Sequence, residues 1–189
     1  MDWYNWQASY PAALEAAAKG RKPVMLQFER ENCSGCRKTY AHVYPNRDVA
    51  AELYKNFIPL KLDIFKERQI RSAQSAVWTP SFYFLDHREK TFFHFEGYVP
   101  PQEFRLLLRM ALTYYYMPRG RYDEVIHTVD QGMKLFSASP RAAALLFRKG
   151  IALFLKHKDK LAFVETMEQI RKDYPNSAEA LMWPWEEEI

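Results

Sequence analysis

Pro23-Val24-Met25-Leu26-Gln27-Phe28-Glu29-Arg30-Glu31-Asn32-Cys33-Ser34-Gly35-Cys36 is the stretch that decides the reading of this chain. Val24 to Phe28 reads as a short, mostly buried strand. Five residues later comes a Cys-x-x-Cys, and Arg37 to Val43 can continue as helix. Cys33 and Cys36 are the only cysteines among 189 residues. A disulfide-stapled secreted scaffold would use more, so a single pair at this spacing points to chemistry.

A dithiol that exchanges with disulfides needs one reactive thiolate and a second thiol that resolves the mixed disulfide. A helix start after a buried strand meets both needs. The first cysteine feels the positive end of the helix, which favours its thiolate. The second, three residues on, lies one turn along on the same face. Cys33 is thus the expected nucleophile and Cys36 the resolving thiol. A zinc or iron site is the alternative use of both sulfurs. Zinc normally takes four ligands, no second cysteine pair exists, and the five histidines are scattered without ligand spacing. Two inert core cysteines are the third reading, opposed by the polar Asn32, Ser34 and Gly35 around them.

Upstream, Ser9 and Pro11 open a helix of strong helix formers, Ala12 to Lys19, and Gly20 is expected to end it in the left-handed conformation. Downstream, Tyr44-Pro45-Asn46 breaks the motif helix, and Asn46 is suited to cap the next, Arg47 to Lys55. Ile58 to Ile64 is a second strand and Glu67 to Ala76 a short helix. Ser81 to Leu85 and Thr91 to Phe95 form a hairpin about the polar Asp86 to Lys90. Gln102 to Tyr116 is a strongly apolar helix. The order α-β-α-β-α-β-β-α predicts an α/β fold, a central mixed sheet flanked by helices.

From Tyr116 onward the pattern is purely helical: Tyr122 to Phe136, Ser139-Pro140 to about Lys156, Asp159 to Tyr174 and Ala178 to Met182. Pro140 and Pro175 lie 35 residues apart, close to the 34-residue period of helix–turn–helix repeats. The expected division is residues 1–112 and residues 113–189, the second an all-α extension packed on the first. Tyr114-Tyr115-Tyr116, Trp183 and Trp185 suit packing better than an open binding face. Glu186 to Glu188 read as a solubilising end, and Asp63 and Asp86 have no partner spaced for acid–base work.

Composition narrows the function classes. With 48% hydrophobic and 26% charged residues, the chain is an ordinary globular one. No apolar run spans a bilayer, and the N-terminus lacks the basic and apolar regions of a secretory signal. The expected location is the cytoplasm, with the periplasm as the alternative if a signal was removed. Lys and Arg outnumber Asp and Glu by 16 to 12 in residues 1–112 and balance at 11 each in residues 113–189. The basic residues form no run, so nucleic acid is not an expected partner.

The strand Pro23 to Phe28, Cys33-Ser34-Gly35-Cys36, and Trp78-Thr79-Pro80 entering a strand 44 residues past Cys36 together resemble the thioredoxin superfamily. Asp86 to Lys90 and Gly97 match its closing hairpin and following turn. The resemblance runs from residue 3 to about 112. It is closest to bacterial single-domain members with an Ala-rich first helix followed by Gly-Arg-Lys-Pro-Val. Residues 113–189, with Asp173-Tyr174-Pro175-Asn176-Ser177-Ala178, resemble tetratricopeptide-type helices.

The resemblance implies a protein-disulfide oxidoreductase with no cofactor or metal. It also implies a cis proline at Pro80 facing the dithiol, with Thr79 and Pro80 positioning the substrate. Its partners would be proteins bearing disulfides or thiols, an electron-donating reductase, and a protein partner on the helical extension. Three departures stand out. The tryptophan usual before the first cysteine is Asn32, and the intervening pair is Ser-Gly instead of Gly-Pro. The buried aspartate of the strand falls at Gln27, for which Glu29, on the same strand face, is the candidate substitute in tuning the thiols. An adaptor whose dithiol is slow or vestigial is the competing functional reading.

Overall fold

The computed structural model describes residues 5–182. Ser9 caps α1 (Tyr10–Gly20), its hydroxyl accepting from the Ala12 N–H at 3.3 Å. The left-handed residue that ends α1 is Arg21, at φ 50°, so Gly20 stays helical and the expected stop falls one residue later. β1 (Val24–Glu29) follows, then α2 (Ser34–Lys38), which widens into a π-turn over Thr39–Val43. Asn46 caps α3 (Arg47–Asn56), its carbonyl accepting from the Asp48 and Val49 N–H groups.

β2 (Ile58–Asp63), α4 (Arg68–Ala73), β3 (Ser81–Leu85), β4 (Thr91–Glu96) and α5 (Pro101–Tyr116) complete this part. α4 is shorter than Glu67 to Ala76, because Ser75 turns out of helix at φ 54°.

The sheet order is β2-β1-β3-β4. β1 runs parallel to β2 and antiparallel to β3, and β3 and β4 form the hairpin. Alternation along β1 assigns its two faces. Val24, Leu26 and Phe28 are fully buried with Ala13 and Ala17 of α1 and with Leu60, Tyr83 and Leu85. Met25 and Gln27 point the other way, where Phe82 meets Phe104 of α5 and Phe84 meets Phe57, ring edge against ring face. The mixed sheet between helical layers is the architecture that the sequence predicts.

On the first face a cavity of about 660 Å3 is lined by Tyr10, Leu14, Ile70 and Glu89 among others. Burial, and then the adjacent Glu89 carboxylate, push the Tyr10 phenol up to about 12. A raised phenol pKa stabilises the fold while the unfolded phenol also keeps its proton, below about pH 10, and that contribution is lost as pH rises through about 12. Followed by tyrosinate absorbance, Tyr10 should contribute to a late phenol step near pH 12, beside Tyr83, Tyr116 and Tyr174, which burial also raises. Tyr10→Phe should reduce the late step by one phenol; an unchanged amplitude would assign it wholly to the other tyrosines.

The chain divides into two compact units between Ala111 and Leu112. The second continues through a 3-10 turn, Met117–Arg119, closed by Gly120 at φ 69°. Then come α6 (Tyr122–Phe136), α7 (Ala142–His157) and α8 (Lys160–Asp173).

α7 begins two residues after Ser139-Pro140, since the Ser139 hydroxyl instead holds a turn through the Arg141 N–H at 3.1 Å. Asp159 caps α8 through the Leu161 N–H at 2.9 Å. The helix expected at Ala178 to Met182 is a single 3-10 turn, Ala180–Met182. α7 and α8 meet where a Cβ on Gly150 would lie 3.1–3.2 Å from Thr166 and Phe163, so only a hydrogen at Gly150 lets them close this tightly. Tyr114 lies under the Arg148 guanidinium, Tyr115 under Arg119 and Tyr116 under Arg121, so the three tyrosines serve packing. Trp183, Trp185 and Glu186 to Glu188 lie outside the described residues.

Candidate active site: the dithiol and its surround

Cys33 occupies the N-cap of α2 with extended backbone, φ −85° and ψ 109°. It is bonded to Cys36, with the Cα atoms 5.2 Å apart. The Cys33 Sγ also accepts the Cys36 N–H at 3.0 Å. A backbone N–H so placed is the kind of donor that stabilises a sulfur anion at a helix start. Both cysteines are only 4% exposed, although Asn32 and Ser34 beside them are open to solvent. The sequence suggests a more open Cys33; the disulfide folds each sulfur onto the other and shields both.

Asn32 sits at φ 60°. Asparagine tolerates this left-handed conformation far better than a bulky side chain does, which accounts for a residue other than tryptophan at this position. Gly35 also has a local reason. A Cβ there would lie 2.7 Å from Pro80 Cδ, so the proline ring rests against the backbone between the two cysteines. The Thr79–Pro80 peptide is cis, and the Pro80 carbonyl accepts the Gly97 N–H at 2.8 Å. Tyr98 closes the rim, its Cβ 3.8 Å from the same Gly35 position and its ring 5.8 Å below the Lys38 ammonium. The fold thus brings Cys33, Cys36, Thr79 and Pro80 together.

Gln27 is fully buried and hydrogen-bonded at both ends of its amide. Tyr44 Oη donates to its carbonyl, and its amide donates to Glu29 Oε2 at 3.3 Å. Tyr40 Oη donates to the same carboxylate oxygen at 2.5 Å. Lys61, across the strand from Gln27, holds its ammonium 5.4 Å from the Tyr40 ring and 5.5 Å from the Trp6 ring. A polar chain therefore runs from β1 into the π-turn.

Sequence reasoning reaches Gln27 and Glu29 but misses Tyr40 and Tyr44. Their four-residue spacing on the motif helix is the signal that could have found them. Asp63 and Asp86 have structural roles, each accepting two backbone N–H groups in a turn. Among the described residues no three His, Cys, Asp or Glu side chains gather as metal donors, and no helix is long and apolar enough to cross a membrane.

Residues 10–112 match the family model described as a thioredoxin-like domain. The chain belongs to the thioredoxin-like domain family. Its fold is correspondingly thioredoxin-like, a four-stranded mixed sheet with flanking helices, followed by further helices. Among solved structures it is similar to a thioredoxin from Thermus thermophilus, at 24% identity and a TM-score of 0.50, over 55% of this chain and 83% of that one. It also matches a structure titled DsbH oxidoreductase, at 18% identity and TM-score 0.45, over 50% and 76% of the two chains. A third match is the C-terminal domain of DsbD from Neisseria meningitidis in its oxidised form, at 18% identity and TM-score 0.43, over 49% and 84%. No curated protein matches the chain.

Proposed function

We propose that this thioredoxin-like protein is a thiol–disulfide oxidoreductase acting on protein substrates through Cys33 and Cys36. The observation that carries the reading is the bonded pair at the start of α2 with Pro80 packed against the residue between them.

In the reducing direction the Cys33 thiolate attacks a substrate disulfide, forming a mixed disulfide and releasing one substrate thiolate. The Cys36 thiolate then attacks Cys33 Sγ, closing the Cys33–Cys36 disulfide and releasing the second. The substrate gains two electrons and the protein loses them, to be restored by a dithiol reductase. In the oxidising direction the same bonds are exchanged in reverse with a substrate dithiol. Thr79 and Pro80 orient the substrate beside Cys33. Glu29 takes the proton-accepting role that the amide of Gln27 cannot fill. The helical unit, residues 113–189 in the expected division, supplies a surface for a protein partner.

The test is to equilibrate the protein with glutathione or dithiothreitol buffers and count free thiols. A midpoint near about −270 mV supports a cytoplasmic reductase, and one between about −180 and −120 mV supports an oxidant or isomerase in an oxidising compartment. If no disulfide forms at any poise, the redox reading fails and an adaptor with a vestigial dithiol takes its place.

A further inference from the structure

Beside Thr79 the surface carries a cleft that dithiol chemistry by itself does not use. Phe65, Val77 and Trp78 are 58%, 81% and 59% exposed, and all three line it above the buried Ile64. Large apolar side chains gathered in one exposed place mark a contact surface. The cleft has a volume of about 220 Å3. That is below the roughly 300–1,000 Å3 of small-molecule sites, and suits a side chain better than a cofactor.

Its position ties it to the dithiol. Arg30 follows β1, and Ile64 and Phe65 follow β2, so this wall is the C-terminal edge of two parallel strands, from which the chain leads to Cys33. The opposite wall, Val77 to Thr79, leads directly into Pro80, whose ring rests on Gly35 between the cysteines. The cleft therefore lies where the segment leading to Cys33 and the segment leading to Pro80 approach each other.

The charge of the cleft is one-sided. Arg30 and Arg71 line it, no carboxylate does, and among the described residues neither guanidinium has an ion-pair partner. Lone guanidinium groups beside an apolar shelf complement a segment bearing both a large apolar side chain and a carboxylate.

We propose that the Phe65–Val77–Trp78 cleft, flanked by Arg30 and Arg71, selects substrates whose exchanging cysteine lies beside a large apolar and an acidic residue. The inference rests on the oxidoreductase reading and names the substrate class for it. Asn32 provides no aromatic surface before Cys33, whereas Trp78, two residues before Pro80, presents one in the cleft.

The experiment uses the full chain, reduced beforehand, and mixed disulfides of glutathione with short peptides. The Cys33 thiolate attacks the peptide sulfur and glutathione leaves as thiolate. Cys36 then expels the peptide thiol as the Cys33–Cys36 disulfide forms. Two peptides carry Phe-Glu or Phe-Lys beside the cysteine, and a third carries Gly-Glu. The Phe-Glu peptide should exceed Phe-Lys in single-turnover second-order rate constant by about fivefold, an advantage that shrinks with added salt. In the Arg30→Glu/Arg71→Glu double variant the ratio of the two rates should invert, whatever the absolute rates. In Trp78→Ala the advantage of Phe-Glu over Gly-Glu should fall.

Glutathione disulfide reports on the dithiol alone. If the wild type exchanges with it yet shows no Glu-over-Lys preference, the cleft inference is overturned and the redox reading stands. If it exchanges with no disulfide at all, both fall. A cleft covered by a second copy of the chain would make the wild type sediment as a dimer and Trp78→Ala as a monomer, which equally overturns the inference.

Discussion

Gly35→Ala will slow exchange with a peptide disulfide by on the order of 10²-fold while leaving the fold nearly as stable. The added methyl group would stand 2.7 Å from Pro80 Cδ, a separation that real Cβ atoms essentially never show. The atom it meets belongs to a ring and cannot swing aside, so either α2 or the Thr79–Pro80 segment must shift.

Two opposing effects keep the cost in stability small. Overpacking costs about 1–3 kcal/mol, whereas alanine gains about 1 kcal/mol over glycine inside a helix. Catalysis has no such compensation, since a displacement of about 1 Å in a reacting constellation costs on the order of 10²-fold. The check is kcat/KM on the peptide disulfide beside a urea unfolding curve of the same variant. Wild-type rates in Gly35→Ala would mean that contact between Pro80 and the dithiol segment is immaterial to exchange.

That contact also marks where the sequence stops being legible. The elements are written locally: Ser9, Asn46 and Asp159 each cap the helix they precede, and alternation in β1 divides Leu26 from Gln27. The Cys-x-x-Cys and the distant Thr79-Pro80 can be paired through resemblance to the superfamily. What no local pattern contains is the approach of Pro80 to Gly35, because α3, β2 and α4 all lie between them in the chain.

The π-turn is hidden for a similar reason. Thr39–Val43 has ordinary helical composition, and its wider winding shows only in the Tyr44 N–H bonding to the Thr39 carbonyl. Thr39 also returns its hydroxyl to the Gly35 carbonyl at 2.9 Å. The substitution of Gln27 for an acid is plain in the sequence, whereas its consequence depends on Tyr40 and Tyr44 arriving from that turn. Trp78 is legible as a residue before Pro80, but its exposure is not, since an aromatic at a strand entrance is more often buried.

Glu52→Ala should destabilise the first unit by about 3 kcal/mol, at the low end of the cost of breaking a buried ion pair. Glu52 Oε1 receives Arg105 Nε at 2.9 Å and both Arg105 Nη2 and Arg109 Nη2 at 2.8 Å. The three side chains keep only 16%, 10% and 16% of their surface in water, in that order, so solvent replaces little of what the carboxylate supplies. Asp48 also contacts Arg105, at 2.9 Å, but it is 63% exposed and reaches only Nη1.

Removing Glu52 therefore leaves two largely buried cations close together without the carboxylate they share, and loosens α3 from α5 on the sheet face that carries Gln27. Glu52→Gln keeps an acceptor of the same shape and should cost about half as much. Replacing all three by well-packed apolar residues should come close to neutral, because the desolvation cost vanishes along with the attraction. Urea unfolding of the three variants separates these cases, and thermal melting should show a fall of roughly 10 °C for Glu52→Ala. Equal stability of Glu52→Ala and wild type would mean that apolar packing alone holds α3 against α5. The arginines would then owe their place to their aliphatic stems.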